Sequence, residues 1–157
     1  PPITGFAEVV LNVDDLPAMR AFYRDVLGFP VHSEASLETE TPDPHGEPTI
    51  AFLTVGSLET PRGRSGHPQL LALIDYRRHI FARGRFQDRA IARSSLNHLA
   101  FEIPPETFEE RLAHLESLEL NPVQTEFPAM HARAIFFRDP EGNSVELIAG
   151  VSPPSAA

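Results

Sequence analysis

F-A-E-V-V-L-N-V-D-D-L-P-A-M-R-A-F-Y-R-D-V-L-G-F, residues 6 to 29, changes its hydrophobic period once, and that change decides the fold class. From Phe6 to Val13 the pattern alternates and is rich in β-branched residues, which predicts a strand. Ala7, Val9, Leu11 and Val13 form its apolar face; Glu8, Val10 and Asn12 form a mixed one. Asp14-Asp15-Leu16-Pro17 then supplies an acidic cap and a proline for a first helical turn. Leu16, Met19, Ala21, Phe22, Tyr23, Val26 and Leu27 recur at helical spacing until Gly28, a residue suited to the left-handed position that ends a helix. A helix laid back on its strand covers one sheet face and leaves the other to curl round a cavity.

Phe29 to Leu37 predicts a second strand, Glu38 to Pro48 a loop, and Thr49 to Val55 and Pro68 to Ile74 two further strands joined through a turn at Thr60 to Gly66. The same order then repeats. Leu96 to Ile103 reads as a strand with an apolar face of Leu99, Phe101 and Ile103. Pro104 and Pro105 lead into a helix carrying Phe108, Leu112, Leu115 and Leu118. Val123 to Phe127, Ala132 to Phe137 and Ser144 to Ala149 supply three more strands, the last two joined by a tight turn at Asp139-Pro140-Glu141-Gly142-Asn143. The expectation is an α+β protein with two βαβββ modules forming a curved mixed sheet around a cavity. Residues 1–157 would be a single domain, with module one at about 5–76, a connection at about 77–94, module two at about 95–150 and a frayed tail at 151–157.

Composition excludes several chemistries. The chain has no Cys, which removes thiolate nucleophiles, disulfides, Fe–S clusters and Cys-bound zinc. All 13 basic residues are Arg, so lysine Schiff bases and the P-loop lysine are absent too. The net charge of −9 repels phosphate backbones and anionic membranes, so no nucleic-acid or membrane partner is expected. Arg77, Arg78, Arg83, Arg85, Arg89 and Arg93 concentrate in the connection without an aromatic platform, which reads as a solvated segment. No apolar run is long enough to span a bilayer and the N-terminus shows no leader, so a cytoplasmic protein is expected.

Three stretches resemble the vicinal oxygen chelate superfamily of glyoxalase I, extradiol dioxygenases, methylmalonyl-CoA epimerase and the bleomycin- and fosfomycin-resistance proteins. Residues 9 to 29 are similar to its opening strand and helix, N-H-L-A-F-E-I (97 to 103) to the start of its second module, and F-R-D-P-E-G-N-S-V-E-L (137 to 147) to its closing hairpin. In metal-dependent members a divalent ion sits in the cavity. The resemblance implies Glu146 and His98 as ligands, with Glu8 where many members have His. A fourth ligand on the fourth strand is placed at Gln69, with His67 or Leu71 open because no motif fixes the register there. The alternation independently puts Glu8, His98 and Glu146 opposite the apolar residues of their strands. Such a donor set suits Mn, Ni, Co, Zn or Mg more than Fe(II), since Glu8 replaces the first His of a two-His, one-carboxylate set. The remaining histidines, His32, His45, His79, His114 and His131, fall in loops or on polar faces and are assigned no chemistry.

The resemblance and these donors together imply a metal-dependent enzyme on a small substrate bound through adjacent oxygens. Lyase- or isomerase-like proton transfer, with Glu146 or Glu8 as base, is favoured over ring cleavage. The alternative is a metal-free binding protein of the bleomycin-resistance type, its cavity lined by Phe52, Phe136 and Tyr76. The resemblance also implies a homodimer.

Overall fold

The computed structural model describes residue 3 and residues 5–56, 65–84 and 96–150. The chain divides into two compact units, Pro1–Arg89 and Ala90–Ala157, a boundary inside the expected connection. The expected turn at Thr60 to Gly66 lies mostly outside the described residues, as do Arg85, Arg89, Arg93 and the tail.

In the first unit β1 (Glu8–Val13), β2 (Val31–Ala35), β3 (Ile50–Thr54) and β4 (Leu70–Asp75) form one mixed sheet in the order β1-β4-β3-β2. The β1–β4 pair is parallel and the other two pairs are antiparallel. Helix α1 (Leu16–Ala21) is capped by Asp15, whose carboxylate accepts the Ala18 N–H at 3.0 Å. The expected single helix instead widens into a π-helical turn over Phe22–Val26. That wider turn buries Phe22, Tyr23 and Leu27 together. Tyr23 packs edge-on to Phe22 at 5.4 Å and stacks on Phe29 at 6.2 Å. Gly28, at φ +77°, ends the segment as expected. Of the apolar face of β1, Leu11 and Val13 are buried, whereas Ala7 and Val9 are exposed. Helix α1 follows Val13 directly and packs on β4 and β3, so its cover reaches the end of β1 but not its start.

The second unit repeats this plan. β5 (Leu99–Glu102), β6 (Val123–Phe127), β7 (Ala132–Arg138) and β8 (Ser144–Ala149) are ordered β5-β8-β7-β6, with β5 and β8 parallel. Helix α2 (Phe108–Ser117) buries Phe108, Leu112 and Leu115, one side chain per turn, on the same side as Val145, Leu147 and Ile135. Arg133 of β7 fastens its first turn, lying 3.7 Å over the Phe108 ring and pairing with Glu109 at 2.6 Å. The β7–β8 turn is closed by the buried Asp139, whose carboxylate accepts the N–H groups of Glu141 and Asn143 at 3.0 Å and the Asn143 side-chain amide at 2.7 Å.

One expectation fails at the end of the first unit. Tyr76 to Gly84 is not a plainly solvated segment: Ala82 packs with Ile50 and Ile74 on the sheet face opposite α1, beside Phe52 and Tyr76. His79 is buried as well, with Nδ1 accepting the Phe81 N–H at 3.2 Å and Nε2 unpartnered. Arg78 ties this segment back to the loop after β2 through Glu38 at 2.6 Å. The arginine count points to solvent, but Ala82 and His79 among them are buried, Ala82 against the sheet. No described helix is long and apolar enough to cross a membrane.

Candidate functional site

Strand register determines what each sheet offers on the face away from its helix. Across the second sheet Ala100, Glu146, Phe136 and Val123 stand side by side. Across the first, the corresponding row is Val10, Ala72, Phe52 and Ser33. Neighbours in such a row project to the same side. The two rows therefore match position for position: Phe52 with Phe136, and Ala72 with Glu146. Two residues before Val10 and Ala100 come Glu8 and His98, which are equivalent in the same way.

The second unit assembles a donor pair. His98 stands one residue before β5, and its Nε2 lies 3.0 Å from Oε2 of Glu146. The Glu146 side chain is 7% exposed and that of His98 36%, so the pair has a buried anion and an open rim. The His98 ring meets the edge of Phe136 at 5.8 Å and 74°. Its other nitrogen, Nδ1, is 2.6 Å from Oδ1 of Asn97. Both ring nitrogens thus face oxygen acceptors. A neutral imidazole carries one N–H, so such a ring is satisfied either as imidazolium or with a cation on the second nitrogen. A 3.0 Å separation is that of a direct hydrogen bond, and it equally suits a shared cation: two donors each about 2.1 Å from one octahedral ion lie about 3.0 Å apart. The pair thus fits a divalent metal in both donor chemistry and separation.

The first unit places the other two expected ligands differently. Glu8 is exposed at the start of β1, in register with Leu70. Gln69 is also exposed and precedes β4, where its backbone carbonyl accepts the Val55 N–H at 3.0 Å. The register left open by the sequence is thereby settled: Leu70 stands beside Glu8, and the counterpart of Glu146 is Ala72, which has no donor atom. Among the described residues of each unit, no three His, Asp or Glu side chains form a cluster able to hold an ion. His67 is turned to its own chain, with Nδ1 2.6 Å from the Pro68 carbonyl oxygen. Sequence reasoning misses Asn97, although an amide directly before the candidate histidine is the available signal.

The family model described as the glyoxalase/bleomycin resistance protein/dioxygenase superfamily matches residues 5–147. Among solved structures, a lactoylglutathione lyase from Agrobacterium tumefaciens is 24% identical, with a TM-score of 0.65 and 96% of each chain covered. A variant of the fosfomycin resistance protein FosX from Listeria monocytogenes, complexed with Mn(II) and 1S,2S-dihydroxypropylphosphonic acid, is 18% identical. It has a TM-score of 0.63 and covers 96% of this chain and 95% of its own. A glyoxylase/bleomycin resistance protein/dioxygenase domain from Frankia sp. EAN1pec is 19% identical with the same TM-score, covering 98% of this chain and 96% of its own. Matched over nearly its whole length, and with both modules in the same strand order, the chain belongs to the glyoxalase/bleomycin resistance protein/dioxygenase superfamily.

Proposed function

We propose that the protein is a divalent-metal-dependent enzyme that transfers a proton on a small substrate bound through two adjacent oxygens. The observation that carries this reading is the buried Glu146 carboxylate 3.0 Å from Nε2 of a histidine whose ring is bracketed by acceptors. His98 and Glu146 would hold the ion, Mn, Ni, Co, Zn or Mg. Glu8, which the family resemblance names as a further ligand, would complete a three-residue set. We leave Gln69 out of that set, since strand register makes Ala72 the counterpart of Glu146. When bound, the ion supplies Lewis acidity that stabilises negative charge on the substrate oxygens. Glu8, the exposed carboxylate, accepts the α-proton and returns it, while Glu146, buried against His98, stays in place. Mn(II) beside a dihydroxypropylphosphonic acid in a FosX structure of the same fold supports a metal and a diol-like ligand in this architecture.

The test is a metal titration of chelator-treated protein with Mn²⁺, Ni²⁺, Co²⁺ and Zn²⁺, followed by deuterium exchange at the α-carbon of hemithioacetals and 2-hydroxy carbonyl compounds. One ion per chain and metal-dependent exchange are expected, both lost in His98→Ala. Absence of any bound ion or thermal shift would refute the proposal. It would favour a second reading supported by the half-buried Phe52 and Phe136 and the net charge of −9: metal-free capture of a cationic small molecule.

A further inference from the structure

We infer that Asn97 is a positioning residue: it selects the imidazole nitrogen that His98 presents to the metal. The backbone explains how adjacent residues can meet. Within a strand, side chains of neighbours point to opposite faces. β5 begins only at Leu99, so Asn97, two residues before it, is not held to that alternation, and its amide reaches the neighbouring ring at 2.6 Å. Oδ1 of Asn97 accepts from Nδ1–H and thereby leaves the Nε2 lone pair for the side facing Glu146. The edge contact with Phe136 fixes the ring plane, so tautomer and orientation have separate supports. The two modules provide an internal comparison. At the equivalent place in the first module the donor is Glu8, which has no tautomer to select, and the residue before it is Ala7.

Asn97's role presupposes that His98 and Glu146 hold a metal, as proposed above. Two variants separate an acceptor from mere bulk: Asn97→Leu removes the acceptor while keeping the branched shape, and Asn97→Asp keeps it. Mn²⁺ and Zn²⁺ affinities are measured by calorimetry, thermal midpoints of the metal-free proteins control for folding, and ¹⁵N-histidine spectra of the Zn²⁺ forms identify the bound nitrogen. Asn97→Leu is expected to bind both ions about 10–100-fold more weakly. Asn97→Asp should stay within a few-fold of the unchanged protein, with Nδ1 protonated and zinc on Nε2. Unchanged affinity in Asn97→Leu, or zinc on Nδ1 in the unchanged protein, overturns the inference. If the unchanged protein binds neither ion, the proposed function fails while Asn97 remains open to test. A slowly exchanging Nδ1–H signal from His98 in metal-free protein, lost in Asn97→Leu, then supports the contact, and its absence before mutation refutes it.

Discussion

Replacing Glu146 by Gln is expected to raise the stability of the metal-free protein and to abolish its response to metal. The Glu146 side chain is 7% exposed, and its one described ion-pair partner is His98, itself 36% exposed. Burial of a carboxylate forfeits several kcal/mol of hydration, of which one half-open imidazole returns only part. Gln has nearly the same shape, stays neutral, and its side-chain amide can donate a hydrogen bond to Nε2 of His98. The metal-free variant should therefore gain about 1–2 kcal/mol, or about 2–8 °C in Tm for a chain of this size. Mn²⁺ at about one hundred times its Kd adds about 2.7 kcal/mol to a protein that binds it, or about 5–10 °C. The order of the two melting temperatures should thus reverse on adding metal: the variant melts higher without it and the unchanged protein higher with it. Differential scanning fluorimetry with and without chelator reads both halves. A variant that melts lower without metal, or that gains the same shift from Mn²⁺, would refute the reasoning that this carboxylate is held against its own solvation for a cation.

Three further perturbations probe the scaffold. Burial holds the pKa of His79 below its ordinary value of 6.5, so the unfolded chain takes up a proton that the folded one refuses, and stability falls as pH drops below about 6.5. His79→Asn keeps an acceptor for the Phe81 N–H and should reduce that acid-side loss in urea titrations between about pH 7 and 5; an unchanged slope would count against it. A Cβ on Gly46 would run into Ser36 Oγ and lie 2.9 Å from both Ser36 Cβ and Asp43 Oδ2. Gly46→Ala should therefore cost about 1–3 kcal/mol, and Ser36→Gly in the same chain should recover at least half of it. Asp139→Ala removes the acceptor of three hydrogen bonds in the β7–β8 turn and should cost about 2–4 kcal/mol by chemical denaturation; a loss under about 0.5 kcal/mol would mean that the turn holds without its aspartate.

The elements that local chemistry controls are legible in the chain. The Asp15 cap, the Gly28 stop, the Asp139 turn and the strands of clearest alternation or apolar run all depend on side chains close in sequence, and the structure has them. The helix after β1 is legible only in part. Its period-3.6 pattern correctly announces a helix, but the simultaneous burial of Phe22, Tyr23 and Leu27 is a packing demand that widens its last turn. Composition misleads for the segment after β4 for the same reason: arginines dominate it, while Ala82 and His79 decide where it lies.

For the candidate site, alternation alone is enough to choose the sheet face of Glu8, His98 and Glu146, because period two is a property of a single strand. The chain by itself thus determined the repeated strand–helix–strand plan, the family it belongs to, and the donor types at hand. Only tertiary structure decided which residues are neighbours across strands, since register depends on pairing between segments distant in sequence. Through that pairing Ala72, not Gln69, matches Glu146, Phe136 stands beside the buried carboxylate, and Asn97 meets His98 where the strand has not yet begun.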